Sequence, residues 1–280
     1  MTTVVIPAHN EGRVLGRLLS QIVTAAADGQ LKVLVVANGC TDDTADVAAS
    51  FGPSVQVMSI PVASKHLALT AAYGAAGDFP RVYADADVEF DAEAVCALAA
   101  ALRRPGVLAA APERVLNLAG RPWPVRWFYD VWSRLPEASS ALWGRGVIAV
   151  NEPGQQRMSR LPELLGDDLA ASLVFAAHER VVVPGARVIV HTPRTFADLL
   201  RLRVRSVTSN AQIGVAEGAP QSTERTRLSD LVSLVRSEPA LAPRVAHFLL
   251  VACLARAAAR RAVARGDFKT WLRDESSRTS

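Results

Sequence analysis

Cysteine is scarce in this chain. Cys40, Cys96 and Cys253 are its only three, and they lie far apart. An odd, scattered set excludes a disulfide framework and offers no zinc-ligand spacing. A reducing cytoplasm is the compartment that fits. Long apolar runs are missing too: none approaches the ~18 residues that suggest a membrane-spanning helix. The nearest, VAHFLLVACLARAAARRAVARG, runs quickly into arginines. The start, MTTVVIPAHNE, enters a strand pattern at once and leaves no room for a signal peptide. No internal repeat is visible. Neither sign of charge dominates, with 31 Lys and Arg against 27 Asp and Glu. No nucleic-acid partner is expected. The small excess is Arg-rich toward the C-terminal third, which hints at an anionic partner there.

What is present is an ordinary globular composition. The 280 residues are half hydrophobic, enough for a sizeable core in one large domain or two merged ones. The first part alternates strand and helix four times. Residues 3–8 form a short apolar run closed by Pro7, and a helix follows from Asn10 with Val14, Leu15, Leu18, Leu19 and Ile22 on one face. LKVLVVAN is a second strand. Thr41 reads as the cap of a helix running through Ala48, with Asp42 and Asp43 in its first turn. VQVMSIP is a third strand, and Ser64 caps a helix over 65–76. RVYADAD is a fourth, and Asp91 caps the helix after it. This predicts an α/β, doubly wound and mostly parallel sheet over 1–112. In such a sheet ligands bind at the carboxyl ends of the strands. Here those ends carry PAHNE, ANGCTDD, PVASKH and DADVEFD.

The second part is less regular. RPWPVRWFYDVWSRLP reads as a loop and helix, with Trp123, Trp127, Tyr129, Trp132 and Trp143 mostly building core. GRGVIAVN is a strand. GDDLAASLVF enters a helix. RVVVPGARVIVH reads as a hairpin, or two strands, around Pro184 and Gly185. Helices follow from Thr195, near 228–236 and over 241–265.

The chemistry concentrates at Asp85 and Asp87. Two carboxylates one residue apart repel each other, and burying either is costly without compensation. A solvated strand end would tolerate them. A hard divalent cation held against a diphosphate would use them. The motifs decide between the two. VVIPAHNE, VLVVANGCTDDT, a helix start containing Lys65, ADADVEF and GDDLAASLVF, in that order, resemble family 2 glycosyltransferases of the GT-A fold. The resemblance extends through PRTFADLLRLRVR, over about the first 205 residues.

It implies an inverting, Mn²⁺- or Mg²⁺-dependent transfer of a sugar. The donor would be a nucleotide sugar. The acceptor would be a hydroxyl of a glycan, a lipid-linked saccharide or a small metabolite. By the resemblance, Pro7, His9, Glu11 and Asn38 line the donor pocket. Lys65 meets phosphate or ribose. Asp85, with Ala86 beside it, meets the ribose or metal, and Asp87 ligates the metal. Asp167 and Asp168 match the family's acidic pair, with Asp168 as the base that deprotonates the acceptor. His191, after a late strand, would complete the metal site. Arg194, Arg201, Arg203 and Arg205 lie in the segment that closes over the pyrophosphate. Each residue also has a structural reading: a solvated lysine, a tight turn at Asn38 and Gly39, helix-capping acids, a structural histidine.

Two departures stand out. Ala37 and Asn38 occupy the place of the family's Asp pair, so a base-reading carboxylate is missing. The usual Gln-x-x-Arg-Trp form is also absent. The resemblance divides the chain into a transferase domain, 1–205, with a donor half (1–112) and an acceptor half (113–205), and a helical extension, 206–280. In that extension Phe248, Leu249, Leu250 and Leu254, followed by arginines, suit either an anionic membrane surface or packing on the domain or in a homodimer. Two other readings remain open. A nucleotidyltransferase would show a Gly-rich basic loop after the first strand, which PAHNEGR matches poorly. A degenerate, non-catalytic partner subunit would account for Ala37.

Overall fold

The computed structural model describes residues 1–161, 167–215 and 226–264. Strands β1 (Thr2–Ala8), β2 (Leu31–Asn38), β3 (Val55–Ile60), β4 (Arg81–Ala84), β5 (Ala109–Asn117), β6 (Val147–Val150) and β7 (Arg180–His191) form one sheet in the order β3-β2-β1-β4-β6-β5-β7. β1 pairs in parallel with β2 and β4, and β2 with β3. β6 runs antiparallel between β4 and β5, and β5 runs parallel to β7. The carboxyl ends of all strands but β6 therefore point to one edge. Fully buried strands read as continuous apolar runs. Val4, Ile6, Val33 and Val35 pack on one face under α1 (Gly12–Ala27) and α4 (Ala92–Ala101). Val5, Leu34 and Val36 pack on the other, under α3 (Lys65–Ala75).

The expected helix after β1 formed on its expected face, and the helices after β3 and β4 formed with their expected caps. Val14, Leu15, Leu18, Leu19 and Ile22 are the buried stripe of α1. The Ser64 side chain caps α3 by accepting from the Leu67 N–H, and Asp91 caps α4 by accepting from the Ala94 N–H. Two boundaries differ. α1 starts at Gly12, not Asn10, because Asn10 is left-handed (φ 52°) and its Oδ1 accepts from the Thr41 N–H. α2 (Thr44–Ala49) starts three residues past the expected Thr41 cap, because Asn10 holds Thr41 and Asp42 turns toward α1.

The segment expected as a hairpin or two strands around Pro184 and Gly185 is instead one strand, β7, with a bulge there. Both arms pair with β5 in the same direction, with the register shift between Pro112 and Glu113. The Gly185 N–H donates to the Glu113 carboxylate (3.1 Å), which absorbs the extra residues. β5 itself was not expected, and the 112/113 division falls inside it.

Beyond the sheet, α5 (Trp123–Trp132), α9 (Phe196–Val215), α10 (Leu228–Ser237) and α11 (Ala242–Ala264) share a second core that includes Phe128, Leu199, Leu231 and Phe248. The 205/206 division falls inside α9. Tyr129 and Trp132 are core, as expected, while Trp123 is mostly exposed. Short helices α6 (Pro136–Ser140), α7 (Glu152–Met158) and α8 (Asp167–Leu173) flank β6 and β7. Among the described residues Pro239–Arg261 is one helical stretch long and apolar enough to cross a membrane by length and composition, where the sequence suggested none; a third of its apolar 18-residue window is buried.

Candidate active site

The first two strand ends are tied to each other. The buried Asn38 donates its amide to the Ala8 carbonyl (2.8 Å) and more weakly to Val36 (3.4 Å), so its N–H groups are spent on the fold. The Asn38 main-chain carbonyl accepts from His9 Nδ1 (2.7 Å), so Nε2 is the ring nitrogen outside that bond. The Glu11 N–H donates to Thr44 Oγ1 (2.8 Å), and the Gly12 N–H to Asp42 (3.1 Å). Asp42 is held below the usual carboxylate range. Burial works against its charge, and hydrogen bonds from the Thr44 hydroxyl and the Gly12 and Thr44 N–H groups outweigh it. Pro7 is half-buried at the penultimate position of β1, and Glu11 is buried.

The third and fourth strand ends meet as well. Gly39 is left-handed (φ 54°), and a Cβ there would stand 2.4 Å from the Ala63 nitrogen, so β2 passes directly under the loop that leads into α3. That loop delivers Lys65, whose Nζ lies 2.8 Å from Asp85 Oδ1, both groups partly exposed. Past β4, burial alternates: Ala86, Val88 and Phe90 enter the core, while Asp85, Asp87 and Glu89 are only partly buried on the outward side. Ala86 can thus face a ligand only with its backbone. Three carboxylates at period two lie where the fold brings four strand ends together.

The third of them, Glu89, holds His191. His191 Nε2 lies 2.5 Å from Glu89 Oε1, and its Nδ1 accepts from Asn117 Nδ2 at 3.3 Å. Both ring nitrogens are therefore engaged inside the protein, and Glu89 rather than Asp87 is its partner. The main chains of Glu89 and Ile189 also exchange hydrogen bonds, which fixes the β7 end beside the acidic turn. Among the described residues no group of three His, Cys, Asp or Glu could hold a metal ion. Asp85 and Asp87 nonetheless suit a hard cation that completes its shell with phosphate oxygens and water, as Mg²⁺ commonly does.

The loop before β6 covers the acidic turn. The Asp85 N–H donates to the Gly146 carbonyl (2.7 Å), and a Cβ on Gly146 (φ 66°) would strike Val88 at 2.5 Å. This loop hangs on two arginines that the sequence reading missed, Arg145 buried and Arg114 half-buried. Arg145 donates to the carbonyls of Ala141, Pro112 and Ser139 at 2.8–3.0 Å. Arg114 donates to Gly144 (3.0 Å) and Ala138 (2.8 Å) and lies 4.0 Å over the Trp132 ring. Burial pushes Arg114 down to about 9 and Arg145 to about 10, which leaves both charged at neutral pH. Arg145→Ala would orphan several buried carbonyls and open a cavity. A loss of about 3 kcal/mol or more in urea unfolding is expected.

α8 reaches the same loop. The Leu142 N–H donates to Ser172 Oγ (3.2 Å), and Leu169 and Ala170 pack with Trp143. The backbone start of α8, Asp167 and Asp168, therefore connects to the acidic turn through residues 142–146; the two side chains lie outside the described residues. Of the four arginines after β7, Arg201 pairs with Asp198, and Arg203 lies over Phe128, 5.4 Å from its centroid, where burial lowers its pKa. Arg203 thus serves the helical core, and Arg201 an ion pair within α9. Arg194 is exposed, three residues past His191.

Comparison with known proteins agrees with the fold. A family model described as glycosyl transferase family 2 matches residues 3–160. A mannosyltransferase from Pyrobaculum calidifontis, in complex with GDP-Man and Mn²⁺, has a TM-score of 0.60 at 20% identity, over 99% of this chain and 84% of that one. Glucosyl-3-phosphoglycerate synthase from Mycobacterium tuberculosis, in complex with Mn²⁺, UDP and glucosyl-3-phosphoglycerate, has a TM-score of 0.55 at 21% identity, over 79% and 81%. At these identities the likeness is one of fold. No curated protein matches the sequence.

Proposed function

The chain belongs to glycosyl transferase family 2, and from that premise we propose that it moves a sugar, with inversion, from a nucleoside diphosphate donor to a hydroxyl acceptor. One observation carries the reading: Lys65 of α3 bridges to Asp85 on the acidic turn that closes β4, at the shared carboxyl edge of the sheet. That edge is where an α/β sheet takes a phosphorylated ligand.

Each residue then has a task. Pro7, His9 and Glu11 wall the nucleoside side. Lys65 holds Asp85 and presents positive charge to ribose or phosphate. Asp87 is the ligand for Mn²⁺ or Mg²⁺, the metals found with the structural relatives. A cation bound there would draw off the charge that builds on the departing diphosphate. The acceptor oxygen attacks the anomeric carbon as the bond to the diphosphate oxygen breaks. The hydroxyl proton passes to Asp168 at the start of α8, and the nucleoside diphosphate leaves. Ala37, in place of a carboxylate, leaves the base to be recognised by other groups.

A panel of nucleotide sugars with Mn²⁺ tests this. One donor should raise the melting temperature and be slowly hydrolysed with release of nucleoside diphosphate. Release of pyrophosphate from a nucleoside triphosphate would move the chain to nucleotidyl transfer. Binding of no nucleotide sugar would make it a non-catalytic subunit.

A further inference from the structure

α11 has two faces that call for different surroundings. One face is core: Val245, Phe248, Val251, Ala255 and Ala259 are buried, and Phe248 stacks on Phe128 at 5.0 Å. The other is apolar and open. Leu250 and Leu254 are 55% and 42% exposed, and the exposed positions from Pro243 to Leu254 carry no charge. His247, Leu250, Leu254 and Arg261 recur at helical spacing, so they form one stripe. Trp123, 59% exposed, packs its ring 5.5 Å from His247 and extends the stripe onto α5. Arg256, Arg260 and Arg261 are exposed where the stripe ends, and Arg126, one turn from Trp123, is exposed at its other end.

Charge selects the occupant. Residues 226–261 hold six arginines against Asp230 and Glu238 alone. Two copies meeting across this face would bring like charges together, which disfavours a homodimer. Crossing a bilayer would pull Phe248 and Val251 out of the core, although the helix is long enough. A helix that buries one face in its own domain and offers Trp, Leu and Arg on the other suits the plane of a membrane interface. We propose that α11, with Trp123 of α5, docks the chain on an anionic lipid surface. Trp123, Leu250 and Leu254 enter the interface, and Arg256, Arg260 and Arg261 meet the headgroups. The proposal is independent of the transfer reaction.

Co-sedimentation of the full chain with vesicles tests it. The protein should pellet with phosphatidylcholine–phosphatidylglycerol vesicles, not with phosphatidylcholine alone, and less so as salt rises. Leu250→Glu with Leu254→Glu should cut the bound fraction about tenfold, while circular dichroism melting stays unchanged because both side chains are exposed. Arg260→Ser with Arg261→Ser should weaken binding only to the anionic vesicles. Equal pelleting of the wild type and the leucine double variant would overturn the proposal. So would absence of pelleting, or a concentration-dependent dimer in sedimentation velocity that the leucine substitutions abolish.

Discussion

Asp87→Asn should reduce kcat/KM for sugar transfer by at least about a thousandfold, equivalent to about 4 kcal/mol of transition-state stabilisation. The substitution keeps the shape and removes the charge. If Asp87 seats the cation, that cation's hold on the departing diphosphate goes with it. The fold should be indifferent. Asp87 lies partly exposed on the turn past β4, while Ala86 and Val88 on either side carry the packing. Steady-state release of nucleoside diphosphate at saturating donor and metal, beside a melting curve, checks both halves. Near-normal turnover would remove Asp87 from the mechanism, and a large drop in melting temperature would make it structural. Lys65→Met gives the comparison: it removes the partner of Asp85 and should raise the donor KM more than it lowers kcat.

Asp168→Asn should lower kcat by about 10² to 10⁴, the usual contribution of a positioned general base. Donor affinity should change little, because the base acts on the acceptor. The pH profile carries the signature. A base must be ionised, so the wild-type rate should fall on acidification, and the variant should lack that limb. Asp167→Asn is the control, since a helix-capping acid at the α8 start should alter stability by about 1 kcal/mol and leave the profile intact. If the two variants behave alike, Asp168 is no base.

Most of the strand–helix frame was legible because buried parallel strands and amphipathic helices advertise themselves locally. The Val14–Ile22 stripe of α1 and the Ser64 and Asp91 caps are such cases. What stayed hidden depended on contacts distant in sequence. β5 is rich in alanine and is broken by Pro112, Glu113 and Arg114 at its middle, so its strand character comes from β6 and β7 beside it. The Pro184–Gly185 pair signals a turn, and pairing of both arms with β5 turned it into a bulge. Asn38 could be read as a ligand for a base until the fold spent its amide on Ala8. The Glu89–His191 pair spans 102 residues and was missed, although alternation from Asp85 to Glu89 could have marked Glu89 as the third outward carboxylate. Arg114 and Arg145 gave no local signal, because their partners are main-chain carbonyls.

The central claim is that the acidic turn past β4 binds the donor's diphosphate through a cation. Isothermal titration of UDP and GDP, with and without Mn²⁺, into wild type and Asp87→Asn tests it most directly. The account predicts that one nucleotide binds the wild type at least about tenfold more tightly with Mn²⁺, a gap of about 1.4 kcal/mol, and that the variant loses this gain. Equal affinity with and without Mn²⁺, or an undiminished gain in the variant, would contradict it.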